Sequence, residues 1–224
     1  PNGAGLDPGM IREFYRDRTL LITGGTGFLG QALAAKVLRD LPQVRRLYLL
    51  IRPRRQPEGR LISAAERLEE EFFASSVLTL FRTADPRGFA ALRAKVEAVS
   101  GDVTLPALGL EPRVREQLLG EVDLIFNSAA TVVFDEPLDV SLRLNALGPL
   151  SLLELARQCR RPVIFVHVST AYVNGQLPGR IAEEMLPPHR TIRQLMEGQT
   201  SGAPFDPEAE VADLVFAMGA AWGD

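Results

Sequence analysis

The chain has 224 residues, 46% of them hydrophobic and 24% charged, with a formal net charge of −3 at neutral pH. These values allow one sizeable globular core and argue against a nucleic-acid partner, while two histidines and a single cysteine argue against a metal site and exclude an internal disulfide. The lone cysteine indicates a reducing, cytoplasmic compartment, and no apolar run approaches the roughly 20 residues that span a bilayer.

Apolar runs and helical patterns alternate through the first half of the chain. Their spacing predicts, in order, a helix at 10–16, a strand at 20–22, a helix at 28–41 and a strand at 44–51. A long excursion from Arg52 to Lys95 then delays the third strand. It is expected to contain an amphipathic helix with one apolar face, formed by Leu61, Ala65, Leu68 and Phe72. Such an excursion either carries function or an interface, or packs as an insertion on the sheet edge.

The alternation continues to residue 168 and weakens beyond it. Further strands are expected at 96–99, 122–126 and 163–168, with a helix at 111–119. A long helix should start at the sequence Asp135-Glu136-Pro137 and end near Cys159. Its inward side should hold Leu142, Leu150, Leu153 and Ala156. Two short helices are expected at 192–197 and 206–218. This order predicts an α/β fold, a Rossmann-type doubly wound parallel sheet with strand order 3-2-1-4-5 that stops before a sixth strand.

The segment between the first strand and its helix carries the clearest functional signal. It reads LLITGGTGFLG, a strand, a glycine turn and a helix start, which is the arrangement that holds a pyrophosphate on free backbone N–H groups. In this TGxxGxxG spacing, Gly24 would allow the tight turn, Gly27 a close approach to phosphate, and Gly30 close helix–strand contact. The candidate cofactor-binding residues of the turn are Thr23, Gly24, Gly25, Thr26, Gly27, Phe28, Leu29 and Gly30. A purely structural turn is the alternative.

The ends of the next strands suggest which dinucleotide binds. NAD-binding folds usually place an acidic residue after the second strand, but here the position is Arg52, with Arg54 close behind. Because arginine matches a phosphate with two parallel hydrogen bonds, this favours NADPH over NADH; a solvated basic loop is the alternative. Asp102, with Val103 beside it, is placed to hydrogen-bond the adenine amino group. Small residues after the fourth strand would let the cofactor cross the sheet edge; they are Ser128, Ala129 and Ala130.

Two further places suggest catalysis. Pro149 cannot donate the helical hydrogen bond to the Asn145 carbonyl, so that carbonyl is expected to be free inside a buried helix, where it could hold a water of a proton relay. A kink needed only for packing is the alternative. Ser169 and Thr170 end the fifth strand, where a hydroxyl could hydrogen-bond a substrate carbonyl oxygen. No tyrosine in the chain is followed four positions later by lysine, so no YxxxK motif is present.

Together these residues make the chain resemble the extended short-chain dehydrogenase/reductase superfamily and, within it, the reductase domain of fatty acyl-CoA reductases. The resemblance covers residues 11–188 and is carried by four segments in the family order: IREFYRDRTLLITGGTGFLG, SGDVTLPALGL, SAATVVFDEPLDVSLRLNALG and VHVSTAYVNG. The excursion after Arg52 is also similar to that of thioester reductase domains of carboxylic acid reductases and of peptide or polyketide synthases.

The resemblance implies NADPH-dependent reduction of a fatty acyl thioester, such as acyl-CoA, to the aldehyde, and it leaves open whether a second hydride takes the aldehyde to the alcohol. Thr170 matches the family's catalytic Ser/Thr, with Ser169 beside it, and Asn145 matches the relay asparagine. The YxxxK pair of the family follows the STAYVNG segment, and the chain reaches Asp224 without it. We therefore expect residues 11–224 to be an NAD(P)-binding domain that is incomplete at its C-terminus and inactive alone. Residues 1–10 are expected to be a flexible lead or an expression remnant.

Four alternatives stay open at this point. The thioester could be held by a carrier protein rather than coenzyme A. The chain could instead be a sugar-nucleotide epimerase or dehydratase of the same superfamily, or a nucleotide-binding module without chemistry. A lipid substrate would also allow peripheral membrane contact through Phe72, Phe73 and Leu80, although residues at helical spacing more often belong to a core.

Overall fold

The computed structural model describes residues 8–133, 135–170, 179–183 and 211. The chain forms two compact units, one made of Pro1–Asp135 and Arg143–His167, the other of Glu136–Leu142 and Val168–Asp224. The expected helix at 192–197 lies outside the described residues, as does most of the expected helix at 206–218, of which only Val211 is described and is helical. Among the described residues, no helix is long and apolar enough to cross a membrane.

A five-stranded parallel sheet forms the centre of the first unit. Its strands are β1 (Thr19–Thr23), β2 (Arg46–Ile51), β3 (Val96–Ser100), β4 (Leu124–Asn127) and β5 (Ile164–His167). They lie in the order β3-β2-β1-β4-β5, which confirms the predicted doubly wound α/β fold. Between β2 and β3 the chain forms a separate pair of short antiparallel strands, Arg54–Arg55 and Leu61–Ile62, which the sequence did not predict.

Helices connect the strands. The α-helices are α1 (Pro8–Tyr15), α2 (Phe28–Asp40), α3 (Ala64–Arg67), α4 (Ser76–Ala84), α5 (Pro86–Arg93), α6 (Pro112–Glu121), α7 (Leu138–Leu142) and α8 (Gly148–Gln158). The described residues also contain two π-helical segments, Leu68–Phe73 and Arg143–Leu147, and one 3₁₀ segment, Pro106–Gly109. The N-terminus of α5 is capped by the Asp85 side chain, as the Asp-Pro sequence predicts.

Two apolar layers cover the two faces of the sheet. Because side chains alternate along a strand, Leu20 and Ile22 of β1 belong to one layer and Leu21 to the other. All five residues of β1 are buried, as expected for a central parallel strand. The excursion contributes to the first layer with buried Leu68, Phe72, Phe73, Leu78, Phe89 and Leu92. It is therefore an insertion that packs on the sheet.

The structure corrects the predicted helix within this excursion. Ser63 accepts a hydrogen bond from the Glu66 backbone N–H, and the Glu66 carboxylate accepts one from the Ser63 N–H, so this capping box starts the helix at Ala64. Leu61 therefore lies in the short strand before it and is 53% exposed. Phe72 and Phe73 are buried in the core, which removes them from a membrane-facing surface, whereas Leu80 is exposed.

The predicted long helix after Asp135 is also corrected. It is divided by the π-helical segment, and its last part, α8, buries Leu152 and Leu155 while Leu150 is exposed. Leucines lie on two neighbouring faces of this helix, so the helical spacing of apolar residues alone does not show which face is buried.

Candidate cofactor site

The glycine turn joins the carboxyl end of β1 to the start of α2. Gly24 has a φ of +69°, a conformation that favours glycine, and its carbonyl oxygen accepts a hydrogen bond from the Gly27 N–H at 2.9 Å. Gly27 is the N-cap of α2 and provides no side-chain cap. The first N–H groups of a thirteen-residue helix are therefore left to other acceptors, which is the chemistry of an anion site.

Close packing around the turn explains two of its glycines. A Cβ atom on Gly24 would lie 2.8 Å from the Ser128 carbonyl oxygen and 2.9 Å from the Ala129 nitrogen. A Cβ atom on Gly30 would lie 2.1 Å from the Gly24 carbonyl oxygen. At Gly27 the same oxygen would be 3.3 Å away, and no other atom outside its own helix and its chain neighbours would lie within 4 Å, so this face of the turn is open. The turn is thus tightly packed against its own backbone at Gly24 and Gly30 and open at Gly27, a shape we call the glycine cradle.

A buried hydroxyl joins the turn to the end of β4. The Thr23 Oγ1 donates to Asn127 Oδ1 at 2.6 Å and accepts from the backbone N–H groups of Ser128 at 3.2 Å and Ala129 at 3.0 Å. The Ser128 hydroxyl donates back to the Thr23 carbonyl at 2.7 Å. Because these bonds use the full capacity of the Thr23 hydroxyl, this predicted cofactor residue shapes the site through its neighbours. Asn127 also contacts His167 of β5, with 3.0 Å between Nδ2 and Nδ1.

The structure brings Arg52 and Asp102 together at the ends of β2 and β3. The Arg52 Nη1 lies 3.7 Å from the Asp102 Oδ2, and the Arg52 side chain is 63% exposed. Asp102 is oriented by Thr104, which donates to its Oδ1 from both the backbone nitrogen at 2.9 Å and the hydroxyl at 2.7 Å. The Arg54 Nη2 lies 3.1 Å from Glu71 Oε1. Arg52 is thus the more available of the two predicted phosphate ligands.

Sequence reasoning missed Arg67, which lies beside these residues. Its side chain is only 12% exposed and donates to the hydroxyl of Thr26, the carbonyl of Arg52 and both carboxylate oxygens of Glu71. The hydrogen bond to Arg67 is the largest cause that lowers the pKa of Glu71, and the charges of Arg67 and Arg54 lower it further. The sequence contained one signal for this pair, since Arg67 and Glu71 are four residues apart, a spacing at which opposite charges pair on a helix.

The remaining candidates of the first unit differ in exposure. Phe28 and Leu29 at the start of α2 are exposed, and so is Ala130, whereas Val103 has its side chain in the core. Asn145 lies on the π-helical segment and is exposed, which corrects the expected buried helix.

The Asn145 amide pairs with the backbone of one residue in the loop after β4. Its Oδ1 accepts from the Thr131 N–H at 2.9 Å, and its Nδ2 donates to the Thr131 carbonyl at 3.1 Å. Since Thr131 directly follows Ala130, this pair orients the loop that begins with Ser128.

Ser169 and Thr170 follow β5 in the chain, as predicted, and are exposed. Both belong to the second unit, so the geometry described for the glycine turn does not include them. Their catalytic roles stay predictions. Tyr172 lies outside the described residues.

Known proteins resemble the chain at the level of sequence. The family model described as male sterility protein, an NAD-binding domain, matches residues 22–214. Fatty acyl-CoA reductase 2, chloroplastic, of Arabidopsis thaliana is 36% identical over 212 residues, which are 93% of this chain and 34% of that protein. Alcohol-forming fatty acyl-CoA reductase of Simmondsia chinensis is 38% identical over 178 residues, 79% of this chain and 35% of that protein. The chain therefore spans about a third of the length of these curated relatives.

Solved structures of reductase domains also resemble the chain. The terminal R domain of the myxalamid PKS-NRPS biosynthetic pathway superposes with a TM-score of 0.57 and 31% identity, covering 77% of this chain and 40% of that one. The reductase domain of a nonribosomal peptide synthetase from Mycobacterium tuberculosis gives a TM-score of 0.54 and 32% identity, covering 78% and 37%. The chain belongs to the male sterility protein family of NAD-binding domains, which confirms the resemblance to fatty acyl-CoA reductases within the extended short-chain dehydrogenase/reductase superfamily.

Proposed function

We propose that the chain is the NADPH-binding part of a reductase that converts a fatty acyl thioester to the aldehyde. The observation that carries this proposal is the open glycine cradle at the N-terminus of α2, with the exposed Arg52 side chain at the end of the neighbouring strand. The family membership and the names of the relatives support the same reading.

The residues present fit a dinucleotide. The pyrophosphate would be held by the N–H groups at the start of α2, beside the open face of Gly27, where a Cβ atom would have only the Gly24 carbonyl oxygen near it. Arg52 would pair with the 2′-phosphate, because its guanidinium is exposed and its contact with Asp102 is long. Asp102 would accept a hydrogen bond from the adenine amino group.

The bound cofactor supplies the hydride that attacks the thioester carbonyl. In this proposal the Thr170 hydroxyl, with Ser169 beside it, donates a hydrogen bond to the substrate carbonyl oxygen, where negative charge develops. Asn145 orients the loop after β4 through Thr131 and contributes to a proton relay. The 224 residues hold no YxxxK pair to deliver the proton, so we propose that alone they bind cofactor weakly and do not turn over.

A matched pair of arginine variants in the intact protein tests the cofactor assignment. The measurement is a fluorescence titration with NADPH and with NADH. We expect Arg52→Ala to weaken NADPH binding by about tenfold or more, the value of one charge-assisted hydrogen bond, and to leave NADH binding nearly unchanged. Arg55→Ala is the control, because Arg55 is exposed and donates to the Gly59 carbonyl in its own loop. Equal affinities for both cofactors, unchanged in Arg52→Ala, would contradict the assignment.

A second candidate substrate is an acyl group on a carrier protein. Two of the similar solved structures, at 31% and 32% identity, are reductase domains from synthase pathways. Thioester-dependent NADPH oxidation by the intact protein, measured with acyl-CoA and with an acyl-loaded carrier protein, separates the two candidates. We expect the higher kcat/KM with acyl-CoA; a clear preference for the carrier-bound substrate would select the second candidate.

A further inference from the structure

The excursion between β2 and β3 places one arginine against both halves of the proposed cofactor site. The Arg67 Nη2 donates to the Thr26 hydroxyl of the glycine turn at 3.3 Å, and its Nη1 donates to the Arg52 carbonyl. Thr26 lies in the cradle proposed for the pyrophosphate, and Arg52 is the ligand proposed for the 2′-phosphate. A single guanidinium therefore connects the two phosphate-binding segments.

Glu71 fixes the orientation of this guanidinium. Its Oε1 accepts from the Arg67 Nε at 2.9 Å, and its Oε2 accepts from the Arg67 Nη2 at 2.7 Å. Both side chains are largely buried, with 12% and 23% exposed, so the bidentate pair is poorly screened by solvent. Glu71 also pairs with Arg54 at 3.1 Å, which adds a third basic residue to the same cluster.

A second bridge runs parallel to the first. The Gln31 Nε2 donates to the Thr26 carbonyl at 2.9 Å and to the Glu71 carbonyl at 3.0 Å. Glu71 lies on the π-helical segment Leu68–Phe73, and such segments are rare and frequently occur at functional sites. Glu71 is thus linked to the glycine turn twice, by its carbonyl through Gln31 and by its side chain through Arg67.

The exposed Arg52 side chain depends on this anchoring. With 63% of the side chain exposed and a distance of 3.7 Å to Asp102, its own side-chain contacts hold it only loosely. Fixing the Arg52 backbone limits the positions its guanidinium can reach, and pre-organisation of this kind lowers the entropic cost of binding. Arg67 itself uses four of its five N–H donors on Glu71, Arg52 and Thr26, so it acts through these residues.

We propose that Arg67 is a positioning residue for cofactor specificity, which sets the spacing between the pyrophosphate cradle and the 2′-phosphate ligand. This inference rests on the proposed function, because it assumes that NADPH is the cofactor. The excursion would then have a role in cofactor selection in addition to packing its apolar residues on the sheet.

Three variants of the intact protein test the inference. Arg67→Met keeps roughly the length of the side chain and removes every hydrogen-bond donor. Arg67→Lys keeps the positive charge but loses the planar guanidinium that forms two parallel hydrogen bonds. Arg82→Met is the matched control, because Arg82 lies on the same excursion, is partly buried and donates to the Phe73 carbonyl at 2.7 Å, away from the glycine turn. Dissociation constants for NADPH and NADH are measured by fluorescence titration, and the stability of each cofactor-free protein is measured by urea denaturation.

We expect Arg67→Met to lower the ratio of NADPH to NADH affinity by about tenfold, and Arg67→Lys to lower it by about threefold. Arg82→Met should leave the ratio unchanged, even if it lowers the stability. An unchanged ratio in both Arg67 variants overturns the inference, as does an equal loss in Arg82→Met, which would show a general effect of destabilising the excursion. If Arg67→Met does not fold, Arg67→Lys decides alone. An unmodified protein without preference for NADPH refutes the proposed function itself, which is a separate result.

Discussion

Substituting Gly30 by alanine is the sharpest test of the packing inside the glycine turn. Gly30 is the third residue of α2, and an added Cβ atom would lie 2.1 Å from the Gly24 carbonyl oxygen, 2.6 Å from the Gly24 carbonyl carbon and 2.9 Å from the Gly25 Cα. All three distances are well inside the 3.4 Å at which ordinary van der Waals contact begins. Because the opposing atoms are backbone, they cannot rotate away, and the turn itself must move.

Two effects of opposite sign decide the stability of this variant. Replacing glycine by alanine within a helix stabilises it by about 1 kcal/mol. Overpacking a well-packed site typically costs about 1–3 kcal/mol, and rigid backbone on the opposing side favours the upper end of that range. We therefore expect Gly30→Ala to lower the free energy of unfolding by about 1–2 kcal/mol. Because displacing binding groups by about 1 Å is costly, we also expect at least tenfold weaker cofactor binding.

Gly120→Ala is the matched control. Gly120 also lies within a helix, α6, but the nearest atoms to its added Cβ would be Nη1 and Cζ of the Arg160 side chain, at 3.6 and 3.8 Å. This variant should keep its cofactor affinity and gain up to about 1 kcal/mol. Urea denaturation gives the stabilities, and NADPH fluorescence gives the affinities. If Gly30→Ala matched the control in both measurements, the predicted clash between its Cβ atom and Gly24 would be refuted. Lower stability with unchanged affinity would show that the packing of the turn does not control cofactor binding.

Two more predictions concern buried hydroxyl groups. Thr23→Val leaves the backbone N–H groups of Ser128 and Ala129 without their acceptor, so the free energy of unfolding should fall by about 1–3 kcal/mol. Thr23→Ser keeps the hydroxyl and should retain most of the stability. Equal losses of stability in the two variants, measured by urea denaturation, would refute the reasoning. Burial, followed by the hydrogen bond to Glu121, raises the pKa of Tyr48 to about 12. Since an unfolded tyrosine titrates near pH 10, the stability that this shift contributes is present below pH 10 and is lost as the pH rises towards 12. The difference in phenolate absorbance between the unmodified protein and Tyr48→Phe measures the midpoint, and a midpoint near 10 would contradict it.

Local patterns predicted the parallel sheet and the glycine turn. Strand β1 and the start of α2 follow from an apolar run, a cluster of glycines and helical spacing, all within about a dozen residues. The positive φ of Gly24 is likewise a local requirement of the turn. The strand order follows from the alternation of strands and helices, because right-handed crossovers leave few arrangements open.

Local sequence patterns gave wrong predictions where the same pattern fitted more than one local structure equally well. Leucines occupy two stripes of α8, and only the packing of that helix buries Leu152 and Leu155 rather than Leu150. The apolar residue Leu61 fits the helical period of the excursion, but the capping box at Ser63 starts the helix after it. Asn145 has the spacing expected from Pro149, yet a π-helical turn places it at the surface beside Thr131.

The sequence by itself determined the class of fold, the place of the glycine turn and the family, because each can be recognised from patterns within short segments of the chain. Only the tertiary structure decided which polar groups meet. Thr23 lies 104 residues from Asn127, and Thr26 lies 41 residues from Arg67. A buried hydroxyl or guanidinium must find partners in whatever segments pack around it, and no local periodicity specifies those partners. The polar residues that shape the cradle therefore became visible only in the folded chain.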